Sequence, residues 1–429
     1  MGIQTVRLLA LSAIMFTVLL TGGVWSPRAA TAATYYVALT GNDANPGTQT
    51  QPFGTIAKGI SVLHAGDTLY VRGGNYNESI ATNNYNIPAG TSWSNPVTIA
   101  GYPGETVTLP SIGGNFNASE QYIIFMDFVV TGAQGGGIGI VHDAGSTTPG
   151  DSYVRFQNID VHDWTSSGNA PPGFYIFANH VEVLGGKVHN SPVGAACSPD
   201  TQADCHGFYI IGAYNLIDGV EIYNNSGYGI HLYNGYNPTF NHDNIIRNNR
   251  VHNNYIAPSC CGGGILISRG ANNMAYNNIV YNNRSVNGIE VGYQAVNNQV
   301  YNNTVYGNGG YGISVDSVNT HGGTTGTIVR NNIVYGNVGG INDLGVSTTQ
   351  DHNFTSNPNF VDVAAANFHL QAGSPAIDAG ITLSAVTTDI AGTSRPQGAG
   401  YDIGACEYQA SQPAQLPAPK NLKTISVTP

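Results

Sequence analysis

The chain has 429 residues, 41% of them hydrophobic, so it can bury a core and is not a disordered polymer. Glycine (56) and asparagine (47) dominate, only 9% of residues are charged, and just four are lysine. Such a composition excludes a helical fold, which relies on Ala, Leu, Glu, Lys and Arg, and the formal charge of −11 excludes nucleic-acid binding through a general basic surface.

Residues 1–32 read as an export signal. Arg7 precedes the apolar run Leu8 to Val24, and Ala30-Thr31-Ala32 offers the small residues of a cleavage site. An uncleaved anchor is the alternative reading of so long an apolar run. Cleavage would remove Arg7 and Arg28 and take the charge from −11 to −13. No later segment is long and apolar enough to span a bilayer, so a secreted or cell-surface protein is expected, with no transmembrane domain after cleavage. In residues 33–67, an N-terminal cap, Ile56, Ile60 and Leu63 follow helical spacing behind Thr55. Asp67 to Arg72 looks like the first strand.

Self-similarity then decides the architecture of residues 68–345. Asn249-Arg250-Val251-His252-Asn253-Asn254 recurs as Asn278-Ile279-Val280-Tyr281-Asn282-Asn283, and again around Val305 and Val334. Looser copies centre on Val161, Val188 and Ile222, and the seven central residues are spaced 27, 34, 29, 29, 25 and 29. Each copy is followed by a Gly-aromatic or Gly-Ile motif, from Gly173-Phe174 to Gly312-Ile313. Units of this size must stack to bury their apolar faces. The 22 asparagines between 241 and 337 suit left-handed turns and rung-to-rung ladders. The expected fold is all-β: one parallel β-helix, preferred to a β-propeller, whose blades run to roughly 40–50 residues. From Asn353 the repeat decays; residues 346–408 are expected to cap the C-terminal end, and 409–429, with four prolines, form a linker or tail.

Of the five cysteines, Cys197 and Cys205 bracket a short polar loop and are expected to pair. Adjacent Cys260 and Cys261 are poorly placed to bond to each other.

The opening Tyr35-Tyr36-Val37, Gly41-Asn42-Asp43, Gln51-Pro52-Phe53 and Ala65-Gly66-Asp67-Thr68 resembles that of bacterial secreted right-handed parallel β-helix proteins of the pectate-lyase-like superfamily. Similar closing motifs are Asn357-Pro358-Asn359-Phe360-Val361-Asp362, Ala372-Gly373-Ser374-Pro375-Ala376-Ile377-Asp378 and Asp402-Ile403-Gly404-Ala405. The resemblance implies a right-handed helix and a polysaccharide partner. It leaves lyase, epimerase, glycoside hydrolase and non-catalytic surface protein all open.

Residues flanking an inward strand position face outward. One expected outer column is Asp160, Lys187, Glu221, Arg250, Ile279, Thr304, Ile333; the other is His162, His189, Tyr223, His252, Tyr281, Tyr306, Tyr335. The charged column reads either as an ion ladder or, with the His/Tyr row, as a platform for sugar rings. The second motif adds Tyr175, Tyr209, His231, Leu266, Glu290 and Ser314, with His206, Tyr233, Arg269 and Asp316 nearby. Long connections at 164–172, 191–205 and 255–263 leave the same corner and are expected to form a wall beside His206, His231 and Arg250.

These residues suit β-elimination on a uronate polymer, which needs a base, a cation and an acid. Lys187 or His231 is the candidate base, Arg250 or Arg269 the cation, and Tyr209 or His206 the acid. Tyr175, Tyr209, Tyr233, His252, Arg269 and Glu290 are candidate substrate contacts. The anionic chain opposes an anionic polymer, but 241–290 carries four arginines against Asp243 and Glu290, a local +2. Superfamily lyases often use calcium, so Ca2+ is the candidate cofactor, although Asp160 and Asp163 only partly match an aspartate cluster. Glu221, Glu290 and Asp316 are the carboxylates open to a hydrolase, which needs a pair. A monomer is expected.

Overall fold

The computed structural model describes residues 32–82, 85–117, 119–132, 137–164, 171–192, 205–233, 237, 239–256, 261–284, 286–316 and 323–410. The segment expected to be an export signal, save Ala32, and the expected tail from 411 on lie outside the described residues.

The chain winds into a right-handed parallel β-helix whose turns, here called rungs, present three faces. Each face is a parallel ladder. The first carries an inward column from Leu69 through Ile99, Phe125, Phe156, Val183, Ile217, Ile246, Ala275 and Val300 to Val329. The second carries Val130, Val161, Val188, Ile222, Val251, Val280, Val305 and Val334 in register, every one buried. The seven repeat centres therefore stack as expected. On the third ladder Ile112, Ile138, Phe174, Phe208, Ile230, Ile265, Ile289 and Ile313 form the matching column. The long strands Asp151–His162 and Asn179–His189 bend from the first ladder into the second without a break.

Asparagine makes the corners. At each corner one residue takes a left-handed conformation, and the next points its side chain inward. Asn248, Asn253, Asn272, Asn277, Asn282 and Asn297 hold φ between 53° and 58°, a region asparagine enters at little cost. The following residues build three ladders: Asn215, Asn244, Asn273, Asn298; then Asn249, Asn278, Asn303, Asn332, Asn353; then Asn225, Asn254, Asn283, Asn308, Asn337. In each, the Oδ1 of one rung accepts a backbone N–H from the rung before, and buried backbone groups at the corners are satisfied without water.

The helix behind Thr55 spans Ile56–Ile60, shorter than the spacing suggested. Thr55 Oγ1 accepts the Lys58 N–H at 3.1 Å, and Ile56 and Ile60 are buried over the first rung. Gly59 has no side chain because a Cβ there would come within 2.8 Å of Leu69 and Val37.

The C-terminal segment does more than close an end. Residues 354–408 fold back along the outer faces of the first two ladders. Phe360, Phe368 and Leu370 pack on Ile279, Tyr281, Tyr306 and Ile333, and Leu383, Val386 and Tyr401 pack on Tyr276 and Tyr301. The outward Ile279, Thr304 and Ile333, expected to face solvent, are thus at most 1% exposed. The left-handed corner asparagines fasten this wrap: Asn277 donates to Thr388 O, Asn302 to Asp402 O and Asn331 to Ile381 O. Inside the wrap Arg395 and Glu407 form a fully buried ion pair at 2.6 Å. No helix among the described residues is long and apolar enough to cross a membrane.

Candidate functional site

The structure separates the residues singled out in the sequence into two groups on different faces. Lys187, Arg250 and His252 lie on the second ladder with Glu221; His206, Tyr209, His231, Tyr233, Arg269 and Glu290 lie on the third.

On the second ladder the charges engage one another. Lys187 Nζ sits 3.4 Å from Glu221 Oε2, and His252 Nε2 lies 3.6 Å from Glu221 Oε1, an ion-pair distance rather than a hydrogen bond. Glu221 is lowered to about 2, by His252 first and then Lys187, against the opposing effect of burial. Partial burial pulls Lys187 down, but the charges of Glu221, Tyr223 and Asp160 outweigh it and its pKa is raised. A base needs the reverse, so Lys187 stays a cation here. Asp160 faces His189 at 3.1 Å. The Arg250 side chain makes no ion pair or hydrogen bond among the described residues, while its backbone N–H donates to Val220 O.

The His/Tyr row on this face is also not a platform. His162, His189, Tyr223, His252 and Tyr281 stack face to face at 4.5–5.1 Å with interplanar angles of 2–17°. The ring faces a sugar would use are spent on their neighbours, and edges point outward. The structure therefore favours the ion-ladder reading of this sheet.

On the third ladder the side chains converge. Tyr175, Tyr209, His231, Leu266, Glu290 and Ser314 stand in one outward column, with Tyr175 stacked on Tyr209 at 6.0 Å and Leu266 buried. The Tyr228 N–H donates to His206 Nδ1 at 2.9 Å, so the proton of the neutral His206 ring sits on Nε2. That Nε2–H faces His231 Nδ1 at 2.9 Å, which fixes the His231 tautomer with its proton on Nε2. Burial lowers His206 to about 3, and burial with the neighbouring His206 carries His231 well below its ordinary value. With Nδ1 occupied, His231 is a neutral donor and not the expected base. His206 is wholly buried, which places it behind His231 as an orienting group and removes it from the role of acid.

A bulge brings the cation. Ser268 pairs with Gly292 and Gly270 with Ala295, so Arg269 opposes two residues, Tyr293 and Gln294. Arg269, Tyr293 and Gln294 have φ of 45°, 55° and 67°, outside the repeating corner pattern. Arg269 lies over the Tyr233 ring at 5.6 Å, and Tyr233 stacks on His231 at 5.0 Å and meets Tyr293 at 6.2 Å. Glu290 accepts from Asn287 Nδ2 at 3.0 Å. Burial raises its pKa, with a further push from the Asp316 charge on the adjacent rung. Burial and the same two carboxylates hold Tyr293 up at about 12.

The site thus offers an acid-leaning carboxyl, a second carboxylate, a guanidinium and a neutral imidazole donor. Sequence reasoning misses Tyr228 and Tyr293. Tyr228 occupies before Gly229 the position His206 holds before Gly207, which is a usable signal; the bulge under Tyr293 leaves none. Among the described residues no group of three or more His, Cys, Asp and Glu could hold a metal, and Asp163 is engaged by His162 at 2.8 Å. Trp164 is buried, its Nε1–H donating to Pro171 O, but the tips of the expected wall, 165–170, 193–204 and 257–260, lie outside the described residues. Cys205 is buried in a disulfide, while its expected partner Cys197 lies outside the described residues, as does Cys260.

Comparison with known proteins places this geometry. The family model described as "Pel9A-like, right handed beta helix region" matches residues 35–332, and the chain belongs to that family. Among solved structures it is similar to pectate lyase Pel9A, with TM-score 0.64 and 18% identity over 88% of this chain and 97% of that one. It is also similar to a rhamnogalacturonan lyase, with TM-score 0.57 and 16% identity over 78% and 92%. At these identities the likeness is one of fold. No curated protein matches the sequence.

Proposed function

We propose that this chain is a secreted, monomeric enzyme that cleaves a uronate-containing polysaccharide by β-elimination at the outer face of the third ladder. The observation that carries the reading is Arg269, set by a bulge over the Tyr233 ring on the same ladder as Glu290, a carboxyl that burial inclines to protonation. A guanidinium in that setting can bind a uronate carboxylate and stabilise the enolate-like charge that follows proton loss. The His231 Nε2–H, oriented by His206, adds a second donor. Asp316 is assigned as the base that removes the proton α to the carboxyl, and Glu290 as the acid that protonates the leaving oxygen. The two structures compared above are titled as lyases, which agrees with this chemistry. Export with cleavage after residue 32 and a Cys197–Cys205 bond belong to the same proposal.

A second reading rests on the carboxylate pair itself. Glu290 and Asp316 on adjacent rungs are also what glycoside hydrolysis uses. Incubating the protein with pectate, rhamnogalacturonan and alginate separates the readings. Elimination yields products with the ultraviolet absorbance of an unsaturated uronate; hydrolysis yields reducing ends without it. Binding of a polymer with neither product would make the chain a glycan-binding β-helix.

A further inference from the structure

A second site lies on the first ladder, away from the proposed catalytic face. A cavity of about 240 Å³ opens at the corner between the first and second ladders, where the C-terminal wrap ends. Its floor is Asp218, Arg247, Asn248 and Tyr276; Ala385, Thr387 and Thr388 of the wrap form one wall. The opposite edge is Gly185 and Gly219.

The sequence explains why the cavity is there. One residue per rung occupies the left-handed position at this corner, and from Asp127 onward these are Asp127, Asn158, Gly185, Gly219, Asn248, Asn277, Asn302 and Asn331. Asn277, Asn302 and Asn331 reach out and hold the wrap. Asn248 instead donates to Asp218 Oδ1 at 2.7 Å, and the two rungs before it have no side chain at all. A Cβ on Gly219 would meet nothing closer than 3.9 Å. The row of clamps stops, and a space remains.

The lining has one chemistry. Arg247 donates through Nε to Asp218 Oδ2 at 2.9 Å and through Nη1 to the Tyr276 hydroxyl at 2.8 Å, and its Nη2 lies within ion-pair distance of Asp218 Oδ2 at 2.8 Å. The two charges cancel, so the cavity does not select an ion. The lining thus presents a guanidinium, a carboxylate and a tyrosine hydroxyl held in place by one another, with two wall threonines beside them. Such an array matches adjacent hydroxyls on a pyranose. The volume lies just below the roughly 300–1,000 Å³ of drug-sized pockets and suits one sugar unit, not a chain.

The geometry points to a binding site for a single neutral glycosyl unit at this corner, a subsite that holds a terminal or branch sugar away from the cleaving face. It stands whether or not the third-ladder site is a lyase. The test measures binding of galactose, rhamnose, arabinose, xylose and galacturonate by saturation-transfer NMR on the full chain. At least one neutral sugar should bind the wild type. Gly219→Asn, which places in this corner the residue that the next rungs already carry, should weaken that binding at least about tenfold, and Asp218→Asn by a similar factor, the size of one lost hydrogen bond to a charged group. Glu290→Gln on the other face should leave it unchanged. If G219N does not fold, D218N alone decides. Absence of binding by every neutral sugar, binding that survives both variants, or tighter binding of galacturonate would overturn the proposal.

Discussion

His206 and His231, 25 positions apart in sequence, share a 2.9 Å hydrogen bond between Nε2 and Nδ1 while a backbone N–H holds the far side of His206. Both rings are buried, and both have pKa values pulled below the ordinary histidine range by that burial. The unfolded chain takes up these protons near pH 6.5, whereas folded His206 resists until about 3. The stabilising contribution is therefore complete above pH 6.5 and declines as pH falls through that window. In urea titrations, the stability advantage of wild type over His206→Asn should shrink by about 2–3 kcal/mol between pH 7 and about 4.5, because each tenfold rise in proton concentration there favours the unfolded chain by roughly 1.4 kcal/mol. A constant advantage would contradict the buried neutral pair.

Glu290 is assigned as the acid, and its raised pKa sets the direction of the pH profile. Activity should fall as pH rises past that value, because the proton needed by the leaving oxygen is gone. Glu290→Gln should lower turnover by about 10²–10⁴ and flatten that limb, while Lys187→Met, on the other face, should change turnover little. Steady-state rates across pH on the preferred polymer test both.

Two neighbouring asparagines should behave in opposite ways. Asn278 is buried, and its side chain links Asn249 N, Ile246 O and Asn303 Oδ1. Asn278→Ala removes the side-chain partner of two backbone groups on the preceding rung, Asn249 N–H and Ile246 C=O, and should cost roughly 3–5 kcal/mol. Asn282 is exposed with φ of 54°, a conformation glycine accepts readily, so Asn282→Gly should stay within about 1 kcal/mol of wild type. Denaturant midpoints with unchanged slopes would show it.

The wrap depends on one buried pair. Arg395→Met removes the cation facing Glu407 inside a fully buried site, along with the guanidinium bonds to Asp402 O and Gly404 O. The change should cost roughly 3–5 kcal/mol and uncover the apolar face formed by Ile279, Tyr281 and Ile333. Dye binding to exposed hydrophobic surface should rise well before the β-helix itself unfolds.

The stacking of Val161 through Val334 is legible because a solenoid repeats its inward residue once per rung, and periodicity is what sequence displays best. The cluster of His206, His231, Tyr233, Arg269 and Glu290 is legible for the same reason. Periodicity does not say which face of a three-sided prism a column occupies, however, and so it groups Lys187 and Arg250 with residues of another ladder. The wrap over Ile279 and Ile333 is hidden more deeply. Residues 354–408 have no period, and the apolar outward positions that receive them look like ordinary strand residues until the partner is in place. The Arg269 bulge likewise depends on one extra residue in one strand, a departure too small to stand out against rungs that already vary in length.

The asparagine ladders make chain length a free variable of this molecule. Each rung hands its Oδ1 to the backbone of the previous one, so removing a whole unit from Asn278 to Asn302 would join Asn277 to Asn303 and bring Asn249 beside a fresh asparagine. The spiral would close one turn shorter with its three corners intact. Glu290 and Tyr293 would leave with that turn, as would Asn302 and part of the wrap's seat on Ile279, Tyr281 and Tyr301, so the shortened coil would surrender its chemistry and some of its outer cover. Families built this way can gain or lose reach along a polymer by whole rungs, because no single rung is both keystone and workplace for all the others.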